Sequence, residues 1–290
     1  MMETKLNEAL KTALIERDLC HQTKHQAITE NRTVDDKNEK SKDITKIDFI
    51  CNKVDILIRP AEFEETCFIF NMVYSLFGVN SKTLLSLRNL VTEVIYPFCK
   101  EYDFYRLNYN HRFNIYPAAI VRAHKVKDIV NTINFCNENR LPFRARGGAH
   151  AYQPASLVNF GIVLDQRPRD KVLRIDEKEM TVNVQTGALL GPTVNTLTSK
   201  NLLIPFGTCV TNGVGGLTLG GGIGFSLREY GLTMDQLVDA KVVLANGQKV
   251  HANNKENKDL FWALRGAGGG NFGVVTNLTF KTVRVKWETI

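Results

Sequence analysis

No Cys-x-x-C pair occurs in this sequence, and its six cysteines (Cys20, Cys51, Cys67, Cys99, Cys136 and Cys209) lie far apart. That scatter excludes a zinc site built on paired cysteines and a small disulfide framework, and it suits reduced thiols. No long apolar run is present either. The longest, roughly Thr66 to Val79, is interrupted by Asn71 and Ser75 and is too short to cross a bilayer. The first twenty residues carry charge throughout and lack the apolar stretch of a signal peptide. A cytoplasmic chain with no membrane span and no metal site is therefore expected. The net charge is +7, yet the lysines and arginines form no basic arm and no nucleic-acid motif accompanies them. No nucleic-acid partner is expected; an anionic surface or a phosphate-bearing ligand stays open as the reason for the excess.

What is present is an ordinary globular balance, 43% hydrophobic and 23% charged residues, with enough chain to bury a sizeable core. Three zones are expected. Residues 1–45 read as a polar tail, solvated or a frayed helix, ending in TVDDKNEKSKD. Residues 46–107 read as a helical extension. In SKTLLSLRNLVTEVIYPF the apolar Leu84, Leu87, Val91 and Val94 recur at helical steps until Pro97 stops them. Residues 108–284 alternate short helices and strands with glycine punctuation. VKDIVNTINFCNENR reads as a helix and LPFRAR as the strand after it. VLRIDEKEMTVNVQTG reads as a hairpin, and LVDAKVVLANGQKVHA as a second one whose Asn246-Gly247 step suits a type I′ turn. NKDLFWALRG reads as an apolar helix, with Phe261 and Trp262 in the core, before a last strand VVTNLTF. Mixed elements with antiparallel hairpins predict an α+β fold. His111, His124 and His251 lack any chemical context and are read as structural.

Chemistry is concentrated in glycine-rich loops. Arg146-Gly147-Gly148-Ala149-His150 directly follows a strand, where glycines let backbone amides approach a phosphate closely and the arginine adds charge. The stretch Pro205 to Ser226 contains eight glycines, which argues against a stable helix or strand interior there. A large ligand lying along the backbone, or a set of tight turns, would use them. Gly268 to Gly273 matches the dinucleotide pattern G-x-G-x-x-G, but a helix precedes it and a strand follows. The pyrophosphate mechanism needs the reverse order, so this match is read as accidental.

The sequence RGGAHAY (146–152), GTCVTNGVGG (207–216), GGGIG (220–224), Tyr230-Gly231, Asp235 and LFWALRGAGGGNFGVVT (260–276) resembles the FAD-linked oxidases. These carry the p-cresol methylhydroxylase or vanillyl-alcohol oxidase type of FAD-binding domain (two α/β subdomains), and the nearest resemblance is to the berberine bridge enzyme-like branch. It covers about Asn108 to Phe280. The resemblance implies that Arg146, Gly147, Gly148, Ala149 and His150 wrap the FAD pyrophosphate. It implies that Ser156, Gly207, Gly213, Gly215, Gly216, Gly220, Gly221, Gly222, Gly224 and Asp235 also belong to the cofactor site, with Gly273, Val274 and Val275 lying along the flavin. It further implies covalent FAD: His150 bonded to the 8α-methyl group and Cys209 to C6.

Departures from the family pattern are specific. Ala149 stands where a glycine usually precedes the histidine, Pro154 where glycine is common, and Asn212 where relatives have a branched apolar residue. Relatives continue into a substrate domain that carries the catalytic base, so no catalytic residue is named; Tyr152 is conceivable only by its proximity to His150. The expected function is hydride transfer from an alcohol or amine-type small-molecule substrate to covalently held FAD, incomplete without a substrate domain. The alternatives are a non-catalytic flavoprotein, a partner-binding module, or the flavin half of a split enzyme whose partner chain supplies that domain. A reductase of enolpyruvyl-UDP-N-acetylglucosamine type shares the fold, but His150 and Cys209 argue against it.

Overall fold

The computed structural model describes residues 80–97, 99 and 101–286. The expected polar tail and residues 46–79 of the expected helical extension lie outside the described residues. The chain divides into two compact units, Met1–Leu84 with Phe98–Lys100, and Leu85–Pro97 with Glu101–Ile290.

The second unit contains two larger sheets and a short antiparallel pair, β7 (Leu202–Leu203) with β11 (Val283–Arg284). The first sheet has the order β1-β2-β4-β3, from Val94–Ile95, Ala119–Arg122, Ile162–Asp165 and Phe143–Arg146. Strands β2, β4 and β3 are parallel. All four residues of β4 are buried, which is why Ile162, Val163 and Leu164 follow one another without polar alternation, while Asp165 at the end is buried in ion pairs. Helix α3 (Val126–Glu138) covers this sheet through Ile129, Ile133 and Cys136. Its start is fixed by the buried Asp128 carboxylate, which accepts from the His124 and Lys125 amides. Its end is marked by Arg140 at φ 54°.

The second sheet is antiparallel, in the order β5-β6-β10-β8-β9: Val172–Asp176, Thr181–Gln185, Val274–Lys281, Leu237–Val243 and Lys249–Asn253. Along β6, Val182 and Val184 are buried while Thr181, Asn183 and Gln185 are half-buried, the period-two signature of a strand with one apolar face. That face meets α4 (Leu190–Thr198), α5 (Val214–Leu219) and α7 (Lys258–Ala263) in a single core. Phe280 of β10 sits edge-on to Phe206 with ring centroids 5.6 Å apart. No helix among the described residues is long and apolar enough to cross a membrane.

Four expectations are corrected here. The helix expected to run up to Pro97 ends early: α1 spans only Ser81–Ser86, followed by a 3₁₀ turn at Leu87–Asn89. Val94 and Ile95 instead add an antiparallel edge strand to β2, pairing with Val121 and Ile120. The β2 edge needed a backbone partner, and two β-branched residues met that need better than a further helical turn. The β8–β9 turn is not type I′. Gly247 has φ +80° but Asn246 does not share a positive φ, so the loop is a three-residue one with glycine in the left-handed position. Trp262 is not core: it is 75% exposed while its neighbour Phe261 is buried. Finally, the glycine-rich stretch does contain a helix, because α5 carries Gly215 and Gly216. A Cβ on Gly215 would lie 2.9 Å from both Thr186 Cβ and O, so the helix approaches the end of β6 more closely than alanine would allow.

Candidate functional site

The carboxyl ends of β3, β4 and β6 and the amino end of β10 converge between the two sheets. They enclose a cavity of 310 Å³, walled by Ala145 to Ala151, Gln166, Thr186, residues from Asn212 to Leu219, and residues from Gly269 to Val275. A volume of that size falls in the range of small-molecule sites.

The His150 loop is anchored backbone to backbone. A Cβ on Gly148 would lie 2.2 Å from Gly213 N, and a Cβ on Gly213 would lie 2.3 Å from Gly148 N. Both positions therefore require glycine, and together they press the loop against the start of α5. Gly216, on the first turn of α5, is different: a Cβ there meets nothing within 4 Å, although the residue lines the cavity. The bare backbone there faces open space.

Ala149 adopts φ +61°. A side chain in that region costs about 1–2 kcal/mol relative to glycine's freedom. Ala149→Gly should therefore raise stability by up to about 1 kcal/mol after the added entropy of the unfolded chain, roughly 2–4 °C in melting temperature. A thermal scan showing a lower melting temperature would refute the strain.

Arg146 does not offer its charge to the cavity. Its guanidinium is fully buried, and Nη2 donates to Asp165 Oδ2 at 2.7 Å. Asp165 also accepts from Arg167 Nη2 at 2.6 Å. Burial alone would raise the Asp165 carboxyl, but the two guanidiniums more than offset it and hold it below the usual carboxylate range. The Nε and Nη1 atoms of Arg146 have no hydrogen-bond partner among the described residues. What Arg146 presents to the cavity is thus wall and backbone rather than a free cation.

His150 lines the cavity, and partial burial lowers its pKa, which favours the neutral imidazole. Its ring stacks on Tyr109, with centroids 4.5 Å apart. Ser156, on the same wall, accepts a hydrogen bond from Asn108 Nδ2 at 2.9 Å. Cys209 lies outside the wall, exposed, on a turn that leads into it: the Asn212 N–H donates to the Cys209 carbonyl oxygen, and Asn212 lines the cavity. The Cys209 Sγ is 3.3 Å from Thr211 Oγ1. Hydrogen bonds from the Thr211 hydroxyl and from the Thr211 and Asn212 amides push the thiol toward its thiolate.

The structure brings Arg146, Gly147, Gly148, Ala149, His150, Ser156, Gly213, Gly215, Gly216, Gly273, Val274 and Val275 onto one cavity. Gly207, Gly220, Gly221, Gly222, Gly224 and Asp235 are not among the residues that wall it. Asp235 Oδ2 accepts from the Leu232 amide at 2.8 Å and so closes a 3₁₀ turn. Gly224 packs directly on the Phe206 carbonyl. Tyr152 is 78% exposed and its ring is not part of the wall.

A family model described as an FAD binding domain matches residues 117–253, which include the β2–β4 layer, the His150 loop and α5. The match marks those residues as similar to an FAD binding domain. The chain is 43% identical over 178 residues to an uncharacterized FAD-linked oxidoreductase, YvdP, of Bacillus subtilis, covering 61% of this chain and 40% of that protein. The chain also resembles Physcomitrella patens BBE-like 1, with a TM-score of 0.67 and 33% identity over 70% of this chain and 44% of that one. A third likeness is to glucooligosaccharide oxidase from Acremonium strictum, described with a 6-S-cysteinyl, 8α-N1-histidyl FAD. There the TM-score is 0.65 with 33% identity, over 69% of this chain and 42% of that one. The chain thus spans about two fifths of the length of these proteins.

The residues present suit FAD: bare backbone faces the cavity at Gly216 and Gly270, and the wall carries both amides and apolar side chains such as Val274 and Val275. Sequence reasoning missed Gln166 and Thr186, whose side chains hydrogen-bond each other at 3.0 Å in the wall. The available signal was Gly187, two residues past β6, where a Cβ would collide with the Gln166 carbonyl. It also missed the segment Asn108–Asn110, which carries no chemical motif of its own.

Proposed function

We propose that this FAD binding domain holds FAD covalently through His150, with Cys209 as a second attachment point. In this reading it forms the flavin-bearing half of an oxidoreductase acting on an alcohol or amine-type small molecule. The observation that carries it is the His150 imidazole on the wall of a cavity that bare backbone faces at Gly216 and Gly270. Support comes from the histidyl and cysteinyl FAD named for glucooligosaccharide oxidase, a structural neighbour of this chain.

When bound, FAD supplies the acceptor for a hydride and hence the redox chemistry. The protein's part is placement. Gly148 and Gly213 lock the histidine loop; residues 146–150, 213–216 and 273–275 would hold the dinucleotide, and His150 would offer it a ring nitrogen. Cys209, pushed toward its thiolate, sits on an exposed turn that leads into the cavity wall at Asn212.

The test is intact mass and visible absorbance of the purified protein after acid precipitation. Flavin colour should remain with the pellet and the mass should rise by one FAD. His150→Ala should move nearly all colour to the supernatant when combined with Cys209→Ala, while each single variant retains one attachment. A wild-type pellet without colour, with free FAD in the supernatant, would leave the domain intact and sink the covalent reading.

A further inference from the structure

We propose that Asn108, Tyr109 and Asn110 form a clasp over the His150 loop, and that Tyr109 is the positioning residue that fixes the imidazole for bonding to flavin. The proposal rests on the covalent reading above. Three consecutive residues each grip a different point of the loop. Asn108 Nδ2 donates to Ser156 Oγ at 2.9 Å. The Tyr109 N–H donates to the Ala149 carbonyl oxygen at 2.8 Å. Asn110 Nδ2 donates to the Tyr152 carbonyl oxygen at 2.8 Å. The loop from Ala149 to Ser156 is thereby tied along its length to a segment some 40 residues earlier in the chain.

Within that clasp the Tyr109 ring lies on the His150 ring, with centroids 4.5 Å apart and planes inclined by 19°. Tyr109 is 63% exposed, so its ring adds little to the core. Its largest visible consequence is to hold one face of the imidazole. An unrestrained histidine has three staggered wells at χ1 and a broad two-fold χ2, so any one orientation is populated only about one sixth of the time. A stacked ring biases that distribution by about 2- to 10-fold.

The bond at stake forms between an imidazole nitrogen and the flavin 8α carbon. One hydrogen leaves the methyl group and one leaves the ring N–H. The electron pair displaced onto the flavin is taken by dioxygen, which with the two protons departs as hydrogen peroxide. Attack requires the nitrogen lone pair to point along the cavity, which is the degree of freedom that the stack removes.

The experiment uses the full chain with Tyr109→Phe and Tyr109→Leu. The rate at which acid-stable flavin forms is followed after adding FAD to apoprotein, total bound flavin is measured in parallel, and the His150 ring-proton NMR signals are recorded. Tyr109→Leu should bind wild-type amounts of total flavin, link it about 2- to 10-fold more slowly, and shift the His150 ring protons downfield as the stack is lost. Tyr109→Phe should match wild type in all three. Wild-type linkage by Tyr109→Leu, unmoved His150 signals, or a loss of total flavin would each overturn the positioning role. If wild type itself formed no acid-stable flavin, the covalent reading would fall, and the NMR comparison would still decide whether Tyr109 orients His150.

Discussion

Asp165→Ala should lower stability by about 3–5 kcal/mol, because it leaves the fully buried Arg146 guanidinium with no counter-charge. For a folded unit of this size that corresponds to roughly 6–20 °C in melting temperature, readable by calorimetry at pH 7. Arginine cannot escape by losing its proton, so the whole penalty of a buried unpaired charge is felt. The pH dependence has a definite sign. Asp165 has a folded pKa below the ordinary 3.8. Its contribution is therefore present above 3.8 and is lost as pH falls below that value through the lower folded pKa. Wild type and variant should differ at neutral pH and converge only in that acid window. Flavin binding should fall with stability, since Arg146 ends β3 and the His150 loop begins at the next residue. A melting temperature within 2 °C of wild type, an allowance of about 1 kcal/mol, would show that Arg146 finds another partner or water.

The second large effect separates folding from binding with the same chemical change. Gly148→Ala and Gly213→Ala each drive a methyl group against backbone at 2.2 and 2.3 Å, and no side chain can move aside to relieve it. Each should cost about 3 kcal/mol or more and weaken FAD binding at least about tenfold, because the loop that carries His150 must lift away. Gly216→Ala should do the opposite to stability. Nothing lies within 4 Å of its Cβ, and it sits inside a helix, so the variant should gain about 0.5–1 kcal/mol. Its methyl group points into open space at the cavity wall, so FAD affinity should still fall. Equilibrium unfolding and flavin titration on the three variants check this directly. A stable Gly148→Ala protein with normal flavin content would show that the close approach is not what holds the loop.

Much of the architecture was legible because its signals are local. The alternation of Val182 and Val184 marked a strand, the spacing of Ile129, Ile133 and Cys136 marked a helix face, and each occurs as read. The reversed order around Gly268 to Gly273, helix α7 before and strand β10 after, correctly dismissed a Rossmann site. The helix expected up to Pro97 failed for the converse reason. Leu84, Leu87, Val91 and Val94 have helical spacing, but Val94 and Ile95 are claimed by the open edge of β2, a partner distant in sequence. Trp262 likewise shares an apolar helix with Phe261 yet points to solvent, because only one face of α7 meets the core.

The candidate site divides along the same line. By itself the sequence determined that a glycine-bearing loop would follow β3 and end in a histidine, and that the pattern was that of a flavin domain; it argued against the helix α5 that the second glycine-rich stretch contains. A glycine, however, states only that a side chain is unwelcome. Whether the reason is a turn, as at Gly222, a backbone pressed against backbone, as at Gly148 and Gly213, or open space before a ligand, as at Gly216, depends on what another part of the chain brings there. Tertiary structure alone decided that Gly148 meets Gly213, that Arg146 turns inward to Asp165, and that Tyr109 lies on His150. Periodicity records which face of an element is apolar; it carries no information about which distant backbone will arrive at that face, or how closely.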